Sequence, residues 1–146
     1  MATITQAIPG GVTAALGFRA AGISAGIKAN GKPDLALLIS DAPAQAAAVF
    51  TTNKATAAPV IVSREHLSRS SGVTRAIVIN SGCANACTGA DGLAAAREMT
   101  EATAALAGCP VEHSVSEGAD HVDVADWQEA CAGLPLSHMG RGPDDE

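Results

Sequence analysis

The 146-residue sequence contains no tyrosine, and its only aromatic residues are Phe18, Phe50 and Trp127. A core built from large rings is therefore excluded. Hydrophobic residues nevertheless make up 47% of the chain, so Ala, Val, Leu and Ile have to form the core. Charged residues are also scarce at 16%, below the quarter that is usual in globular proteins. A composition this apolar argues against a disordered chain.

Basic residues are few, with 9 Lys and Arg against 15 Asp and Glu, and the formal net charge is −6. We expect no nucleic-acid partner, because neutralising phosphates needs clustered basic side chains. No uncharged apolar run reaches the length of about 18–20 residues that a membrane span needs, so none is expected. Nor does the first segment resemble a secretory signal. We therefore expect a cytoplasmic protein whose four cysteines are reduced.

Strand patterns are clearest in three segments. Residues 34–40 are apolar on both alternating faces, which is typical of a strand that is covered on both sides. Residues 47–52 predict a second strand, close enough to the first to form an antiparallel hairpin. Residues 76–80 predict a third, buried strand.

Two helices are predicted. A short one runs from Ser63, its candidate N-cap, to Leu67. A longer one follows the third strand, because apolar residues recur at three- and four-residue steps over 93–106. Asp91 is its candidate N-cap, and Gly108 is its candidate C′ residue, just past the end of the helix.

After Pro110 the acidic residues accumulate and no strand pattern is visible. A short helix is predicted within 124–131, and residues 140–146 have the composition of a disordered terminus. We therefore divide the chain into a patterned body, 1–110, and a divergent acidic tail, 111–146, which we expect to be partly disordered.

The segment 81–92 is the most informative loop. It leads from a buried strand into a helix and is rich in Gly, Asn, Ser and Thr, so it brings backbone N–H groups to the positive end of a helix dipole. It lacks the Gly-Lys-Ser/Thr ending of a P-loop and the glycine spacing of a dinucleotide-binding loop. A functional loop and an ordinary connection between strand and helix are equally compatible with this pattern.

The cysteines allow two further hypotheses. Cys83, Cys87, Cys109 and His113 could together supply the four ligands of a structural zinc ion, although zinc pairs are commonly spaced more tightly. Cys87, near a helix N-terminus, could be a nucleophile, but no histidine is placed by sequence to act as its base. Buried or surface roles explain these residues better, and we predict no metal site.

Five segments, in the same order along the chain, resemble the N-terminal part of ornithine acetyltransferases, the bifunctional glutamate N-acetyltransferases of arginine biosynthesis. They are Gly17-Phe-Arg-Ala-Ala-Gly-Ile-Ser-Ala-Gly-Ile-Lys28, Pro33-Asp-Leu-Ala-Leu37, Val49-Phe-Thr-Thr-Asn53, Ala58-Pro-Val60 and Asn80-Ser-Gly-Cys-Ala-Asn-Ala-Cys-Thr-Gly89. The last segment is the most distinctive. The resemblance covers residues 11–108.

The resemblance implies an α/β layered sandwich, similar to that of N-terminal-nucleophile hydrolases and made from both pieces of a self-cleaved precursor. It implies transfer of an acetyl group from N-acetylornithine to glutamate without a cofactor, with acetyl-CoA as an additional donor in some members. A threonine freed by the cleavage attacks the acetyl carbonyl, and an upstream Thr-Gly pair stabilises the oxyanion. The two pieces remain together as a hetero-oligomer.

This chain departs from that family pattern after Cys109. The stretches Ser-Thr-Gly-Val-Ile-Gly, Lys-Gly-x-Gly-Met-Ile and Ala-Thr-Met-Leu do not occur. Thr88 and Thr100 match other parts of the family, so no residue here inherits the nucleophile's role and we predict no catalytic residue. The end is either a truncated or frameshifted remnant or the acquired end of a natural short protein. The fold is accordingly expected to be incomplete.

For the substrate pocket the candidates are Asn85, Thr88 and Gly89, with shaping of the loop as the equal alternative. We expect the chain alone to be inactive and to need the missing C-terminal chain of the enzyme. The alternative is a non-catalytic partner or pseudo-subunit that assembles with another polypeptide, because an open sheet exposes edges that favour association.

Overall fold

The computed structural model describes residues 11–119, and all structural statements below concern that range. It contains four strands and two helices, with single 3-10 turns at Gly11–Thr13 and Val111–His113. The elements are β1 (Phe18–Ile23), β2 (Leu35–Gln45), α1 (Ala58–Arg69), β3 (Val73–Ala84), α2 (Gly89–Ala107) and β4 (Ser114–Ala119).

The strands form one mixed sheet in the order β1-β2-β3-β4. β1 pairs with β2 and β2 with β3 in antiparallel fashion, so that Leu38 lies opposite both Ala20 and Ile77. β4 pairs with β3 in parallel, and α2 forms the crossover between them. The β2–β3 register shifts after Ile39 at an irregularity. This mixed sheet with two helices confirms the predicted α/β class.

One face of the sheet is covered by α2. The core at this contact contains only aliphatic side chains and one methionine: Leu35, Leu37, Ile39, Ala76, Val78 and Met99. A second cluster, formed by Ala58, Val62 and Ala96, joins α1 to α2. Small alanine side chains allow the two helices to approach closely, which explains how a chain almost without aromatic residues still packs a core.

Helix α1 covers the free edge of β4 with side-chain hydrogen bonds. Ser63 Oγ donates to the Ser116 carbonyl at 2.7 Å and accepts from the Ser116 N–H at 3.0 Å. His66 Nδ1 lies 2.7 Å from the Ser114 carbonyl and must carry the proton, because a carbonyl only accepts. The outward main-chain groups of Ser116 and the Ser114 carbonyl are therefore satisfied without a fifth strand.

The opposite face of the sheet is apolar, and neither described helix covers it. We call it the bare face and define it by the outward residues of β1, β2 and β3, which are Phe18, Ala20, Ala36, Leu38, Ile77 and Ile79. All six are half-buried or exposed, whereas the residues beneath α2 are buried. Within residues 11–119 the sheet therefore has one complete layer of helices.

The predicted second strand at 47–52 is wrong, because that segment contains no strand. β2 instead continues to Gln45, and the hairpin partner of its first half is β1, which the sequence analysis missed. The glycines around β1 hid its short pattern. The first helix is also longer than predicted and begins at Ala58, where Pro59 occupies a first-turn position that needs no N–H donor.

The expectation of no strand after Pro110 is wrong for β4. Its strand pattern is hidden by serines at buried positions, such as Ser114, whose hydroxyl donates to the Thr100 carbonyl at 2.8 Å. The predicted helix within 124–131 and the disordered tail lie outside the described residues. Neither α1 nor α2 is both long and apolar enough to cross a bilayer.

Candidate functional site

The loop that connects β3 to α2 reverses the chain within a few residues. β3 ends at Ala84 and α2 begins at Gly89. Cys87 and Gly89 both have left-handed backbone conformations, with φ of 63° and 64°. A left-handed φ suits glycine but is uncommon for cysteine. The turn is therefore held by its surroundings rather than by the preference of each residue.

Two of the pocket candidates hold this loop together from inside. Asn85 is 2% exposed, and its Nδ2 donates to the Gly92 carbonyl in the first turn of α2 at 2.7 Å. Its Oδ1 accepts a hydrogen bond from the Thr88 hydroxyl. A Cβ at Gly92 would lie 1.7 Å from Thr88 Oγ1 and 2.1 Å from Asn85 Oδ1, so only glycine fits beneath this pair. Loop-shaping therefore accounts for the side chain of Asn85.

The N-cap position of α2 is occupied by Thr88 rather than by the predicted Asp91. Thr88 is the N-cap residue, but its side chain forms no capping bond, because the hydroxyl is used by Asn85. The first N–H groups of a helix have no intrahelical partner. In α2 these first N–H groups lie at Gly89 and the residues after it, and Gly89 is exposed. The predicted end is confirmed, since Gly108 adopts φ 62° at the C-cap.

A second loop, residues 24–33, packs against the beginning of this segment. A Cβ at Gly82 would lie 2.9 Å from Ile27 Cγ2 and 3.3 Å from Lys28 Cγ, so the two stretches lie in direct contact. The Ser81 N–H also donates to the Asp34 carbonyl at 2.8 Å. The segments Gly17–Lys28 and Asn80–Gly89, which carry the resemblance, are therefore brought together although they are distant in sequence.

Asp34 organises the 24–33 loop. Its carboxylate accepts the Ala25 N–H at 2.6 Å and the Lys28 N–H at 2.7 Å, and the residue is 3% exposed. Burial alone would raise the pKa of this carboxyl. The backbone donors at Ala25, Lys28 and Ile27, helped by the Lys28 charge, outweigh burial and lower the pKa of Asp34 below its ordinary value of 3.8. Sequence reasoning assigned Asp34 no role of its own.

Asn80 is the first residue of the second joined segment. It pairs with Leu35 across the ladder, on the face that α2 covers, and is 5% exposed. Neither its Oδ1 nor its Nδ2 has a hydrogen-bond partner in the part of the chain that the structure describes. A polar side chain at a position that otherwise continues Ala76 and Val78 is the sequence signal that could have singled it out.

The four-ligand zinc hypothesis does not fit the geometry. Cys87 precedes α2 and Cys109 follows it, and a helix of 19 residues separates its ends by about 28 Å. Within residues 11–119 no group of three or more metal-ligating side chains is assembled.

The hypothesis of a cysteine nucleophile lacks a base. Cys87 is exposed, but no histidine is hydrogen-bonded to it in the described range. Burial raises the pKa of the Cys109 thiol. The charge of Arg75 acts in the opposite direction, and the charge of Glu112 raises the pKa further.

A model of the ArgJ family matches residues 19–118, which include all but the first two residues of the joined segments and most of β4. The chain belongs to the ArgJ family. The resemblance stated above is thereby confirmed, and the match reaches beyond residue 108, where the stated resemblance ends.

Curated ArgJ relatives match over the same region. The arginine biosynthesis bifunctional protein ArgJ of Thermosynechococcus vestitus is 54% identical over 103 residues, which are 70% of this chain and 24% of that protein. The protein of the same name from Mycolicibacterium paratuberculosis is 56% identical over 96 residues, 65% of this chain and 23% of the relative. The chain thus spans about a quarter of the length of these relatives.

Two solved structures share the fold. ArgJ of Bacillus halodurans matches with a TM-score of 0.77 and 35% identity, covering 86% of this chain and 67% of that chain. The ornithine acetyltransferase of Mycobacterium tuberculosis, complexed with ornithine, matches with a TM-score of 0.76 and 39% identity, covering 89% and 71%. The α/β layer described above is therefore the ArgJ fold in incomplete form.

Proposed function

We propose that this ArgJ-family chain supplies the N-terminal part of an ornithine acetyltransferase, which transfers an acetyl group from N-acetylornithine to glutamate. The observation that carries the proposal is the family match over residues 19–118 in a chain that spans about a quarter of its curated relatives. The ornithine bound by the Mycobacterium tuberculosis relative supports amino-acid substrates of this class. We place the reaction in the cytoplasm.

The loop between β3 and α2 is our candidate for this chain's contribution to the substrate pocket. Gly89 is exposed and Thr88 half-buried, so both can face a ligand, while buried Asn85 positions the loop from beneath. The free N–H groups at the start of α2 favour an anionic group. The carboxylate of an amino-acid substrate has the right charge for this position.

Catalysis itself needs residues that these 146 positions do not contain. The three motifs that carry the nucleophile and the oxyanion donors in the family do not occur in this sequence. We therefore propose that the chain is inactive alone and becomes part of a hetero-oligomer with the region that follows in full-length relatives. The transfer uses no cofactor, and acetyl-CoA enters only as a possible acetyl donor.

The test is turnover of N-acetylornithine with glutamate, measured for the purified chain alone and for the chain co-expressed with the remainder of the Thermosynechococcus vestitus relative. We expect product only from the assembly. Turnover by the mass-verified chain alone would refute its proposed inactivity. An assembly that forms but transfers no acetyl group would refute the proposed function.

A matched pair of glycine variants tests the pocket. Gly89 and Gly31 have similar positive φ values of 64° and 68°, and a Cβ at either would meet no atom within 4 Å. Both Gly→Ala variants therefore impose similar backbone strain. We expect only Gly89→Ala to raise KM in the active assembly, by several-fold. Equal KM values for the two variants would show that the loop between β3 and α2 does not contribute to the substrate pocket.

The second candidate function is that of a non-catalytic partner, and the bare face favours it because an open apolar surface promotes association. Such a pseudo-subunit would bind a complete ArgJ enzyme. The discriminating measurement is whether the chain restores activity to a C-terminal fragment, which a pseudo-subunit would not do.

A further inference from the structure

The chain contains four asparagines, which differ in exposure and in the residue that follows them. Asn80 and Asn85 are buried, whereas Asn30 and Asn53 are exposed in loops. Asn30, in the 24–33 loop, is the one that a glycine follows directly. Asparagine is a thermolabile residue. An exposed asparagine before glycine is especially reactive, because no side chain shields the glycine nitrogen from the carboxamide carbon.

The turn at Asn30 holds its carboxamide close to the nitrogen of the next residue. Asn30 Oδ1 accepts the Lys32 N–H at 3.1 Å, and this hydrogen bond closes a small ring that contains both Asn30 Cγ and the Gly31 nitrogen. A Cβ at Gly31 would meet no atom within 4 Å, so the space around this turn is open. One bond opposes the reaction: the Gly31 N–H donates to the Lys28 carbonyl at 3.1 Å and has to be released first.

Two lysines supply positive charge around this turn. Lys28 Nζ donates to the Pro33 carbonyl at 3.3 Å, so its ammonium group lies at the base of the turn. Lys32 is exposed on the turn itself. Both charges favour the anion that forms when the Gly31 amide loses its proton. The nearby Asp34 carboxylate opposes this anion less strongly, because two backbone N–H groups already hydrogen-bond to it.

We propose that the Asn30–Gly31 turn is a self-modification site, at which Asn30 converts to aspartate and isoaspartate through a succinimide. The Gly31 nitrogen loses its proton to water and bonds to Asn30 Cγ, while the bond from Cγ to Nδ2 breaks and Nδ2 leaves as ammonia after taking a proton from water. Water then opens the ring. Opening at Cγ gives aspartate, and opening at the main-chain carbonyl of Asn30 gives isoaspartate. Each conversion consumes one water molecule and releases one ammonia molecule.

The modification changes both the charge and the length of the loop. A carboxylate replaces a neutral amide, and isoaspartate routes the main chain through Cβ and Cγ, which makes it one atom longer. Asp34 holds the Ala25 and Lys28 N–H groups at 2.6 and 2.7 Å. The part of the loop that contacts Gly82 therefore stays anchored. We expect the change to loosen residues 29–32 and to leave that contact intact. This inference does not depend on the proposed function.

Asn53 is the internal control for the experiment. It is also exposed, and its Oδ1 accepts the Ala55 N–H at 3.0 Å in the same kind of turn, but Lys54 follows it in place of glycine. The purified, folded 146-residue chain is incubated in mildly alkaline buffer and then digested with trypsin. Lysine–proline bonds resist trypsin, so a single peptide, residues 29–54, contains both asparagines.

Fragment-ion mass spectrometry then measures the conversion of each amide to an acid. An endoprotease that cleaves before aspartate but not before isoaspartate separates the two products. We expect Asn30 to convert at least roughly ten-fold faster than Asn53, because only the nitrogen after Asn30 lacks a neighbouring side chain.

Two glycine variants test the chemistry. Gly31→Ala should slow the conversion of Asn30 to the rate of Asn53. Its matched control is Gly26→Ala in the same loop, at φ 82° and also with nothing within 4 Å of the added Cβ, which should leave Asn30 fast. Equal rates at the two asparagines, conversion of Asn30 only after unfolding in urea, or equal effects of the two glycine variants would each overturn the proposal.

Discussion

The edge of β4 offers the sharpest test of how this chain is held together. Both main-chain groups of Ser116 point away from β3, and one hydroxyl, Ser63 Oγ, satisfies them at 2.7 and 3.0 Å. Ser63 is 5% exposed and Ser116 2%. The substitution Ser63→Ala therefore removes two hydrogen bonds and leaves a donor and an acceptor without partners in a buried position.

Each orphaned buried group costs about 1–3 kcal/mol, so with some access of water at the sheet edge the loss is on the order of 2–4 kcal/mol. Domains of this size have total stabilities of about 5–15 kcal/mol. The higher helix propensity of Ala compared with Ser offsets this loss of stability by only about 0.5 kcal/mol. We therefore expect Tm to fall by about 10 °C or more.

The assay combines thermal unfolding, followed by circular dichroism, with amide exchange. The exchange of 114–119 should accelerate more than that of β2, because the lost bonds hold β4. Ser68→Ala in the same helix is the matched control, since Ser68 is exposed, and it should change stability by less than about 0.5 kcal/mol. If Ser63→Ala lowers Tm no more than this control does, the edge-cover reasoning is wrong.

Three other predictions follow from contacts already described. Gly92→Ala drives a methyl group into the space of Thr88 Oγ1, 1.7 Å away, and should cost more than about 2 kcal/mol as an overpacked site, measured by urea unfolding. Because the pKa of Asp34 is lowered, its contribution is complete above the unfolded value and is lost as pH falls through the lower folded value. The Tm advantage over Asp34→Asn should therefore be constant above about pH 5 and shrink in stronger acid. Iodoacetamide at pH 8 should alkylate exposed Cys87 faster than half-buried Cys109, whose pKa is raised, as peptide mass mapping would show.

Each of these predictions has a control on the same molecule. Ala94→Gly, at an exposed position of α2, should cost only the helix propensity of about 1 kcal/mol, and a similar cost for Gly92→Ala would contradict the packing argument. Asp41→Asn removes a partly exposed ion pair with Arg19, which is worth at most about 1 kcal/mol. A Tm difference for Asp34→Asn that does not change between pH 7 and pH 2 would contradict the assignment of its carboxylate. Equal alkylation rates of Cys87 and Cys109 would contradict the predicted difference in reactivity between the two thiols.

The sequence predicted the parts of the fold that depend on local periodicity. The strand predicted at 34–40 is present as β2 from Leu35, and the buried strand at 76–80 and the helix ending before Gly108 are also present. It also predicted an aliphatic core, because aromatic residues are almost absent. These features follow from residues close together in the chain, where spacing alone reports which side is buried.

Prediction failed where distant residues decide the outcome. β4 has serines at buried positions, and those serines become favourable only because Thr100, Ser63 and His66 supply partners for them or for their backbone groups. The segment 47–52 has the composition of a strand, but it forms no strand in the described range. Hydrogen-bond partners that come from elsewhere in the chain leave no local periodicity to read.

The candidate site divides in the same way. The sequence alone identified the segment Asn80–Gly89 and the family to which it belongs, because the order of short polar residues and glycines is distinctive. Only the tertiary structure showed that Asn85 points inward to fix Gly92, and that Asp34 anchors the loop lying against Gly82. Local pattern thus determined which segment matters, whereas packing between segments decided which side chains are free to meet a ligand, since burial is a property of the assembled fold.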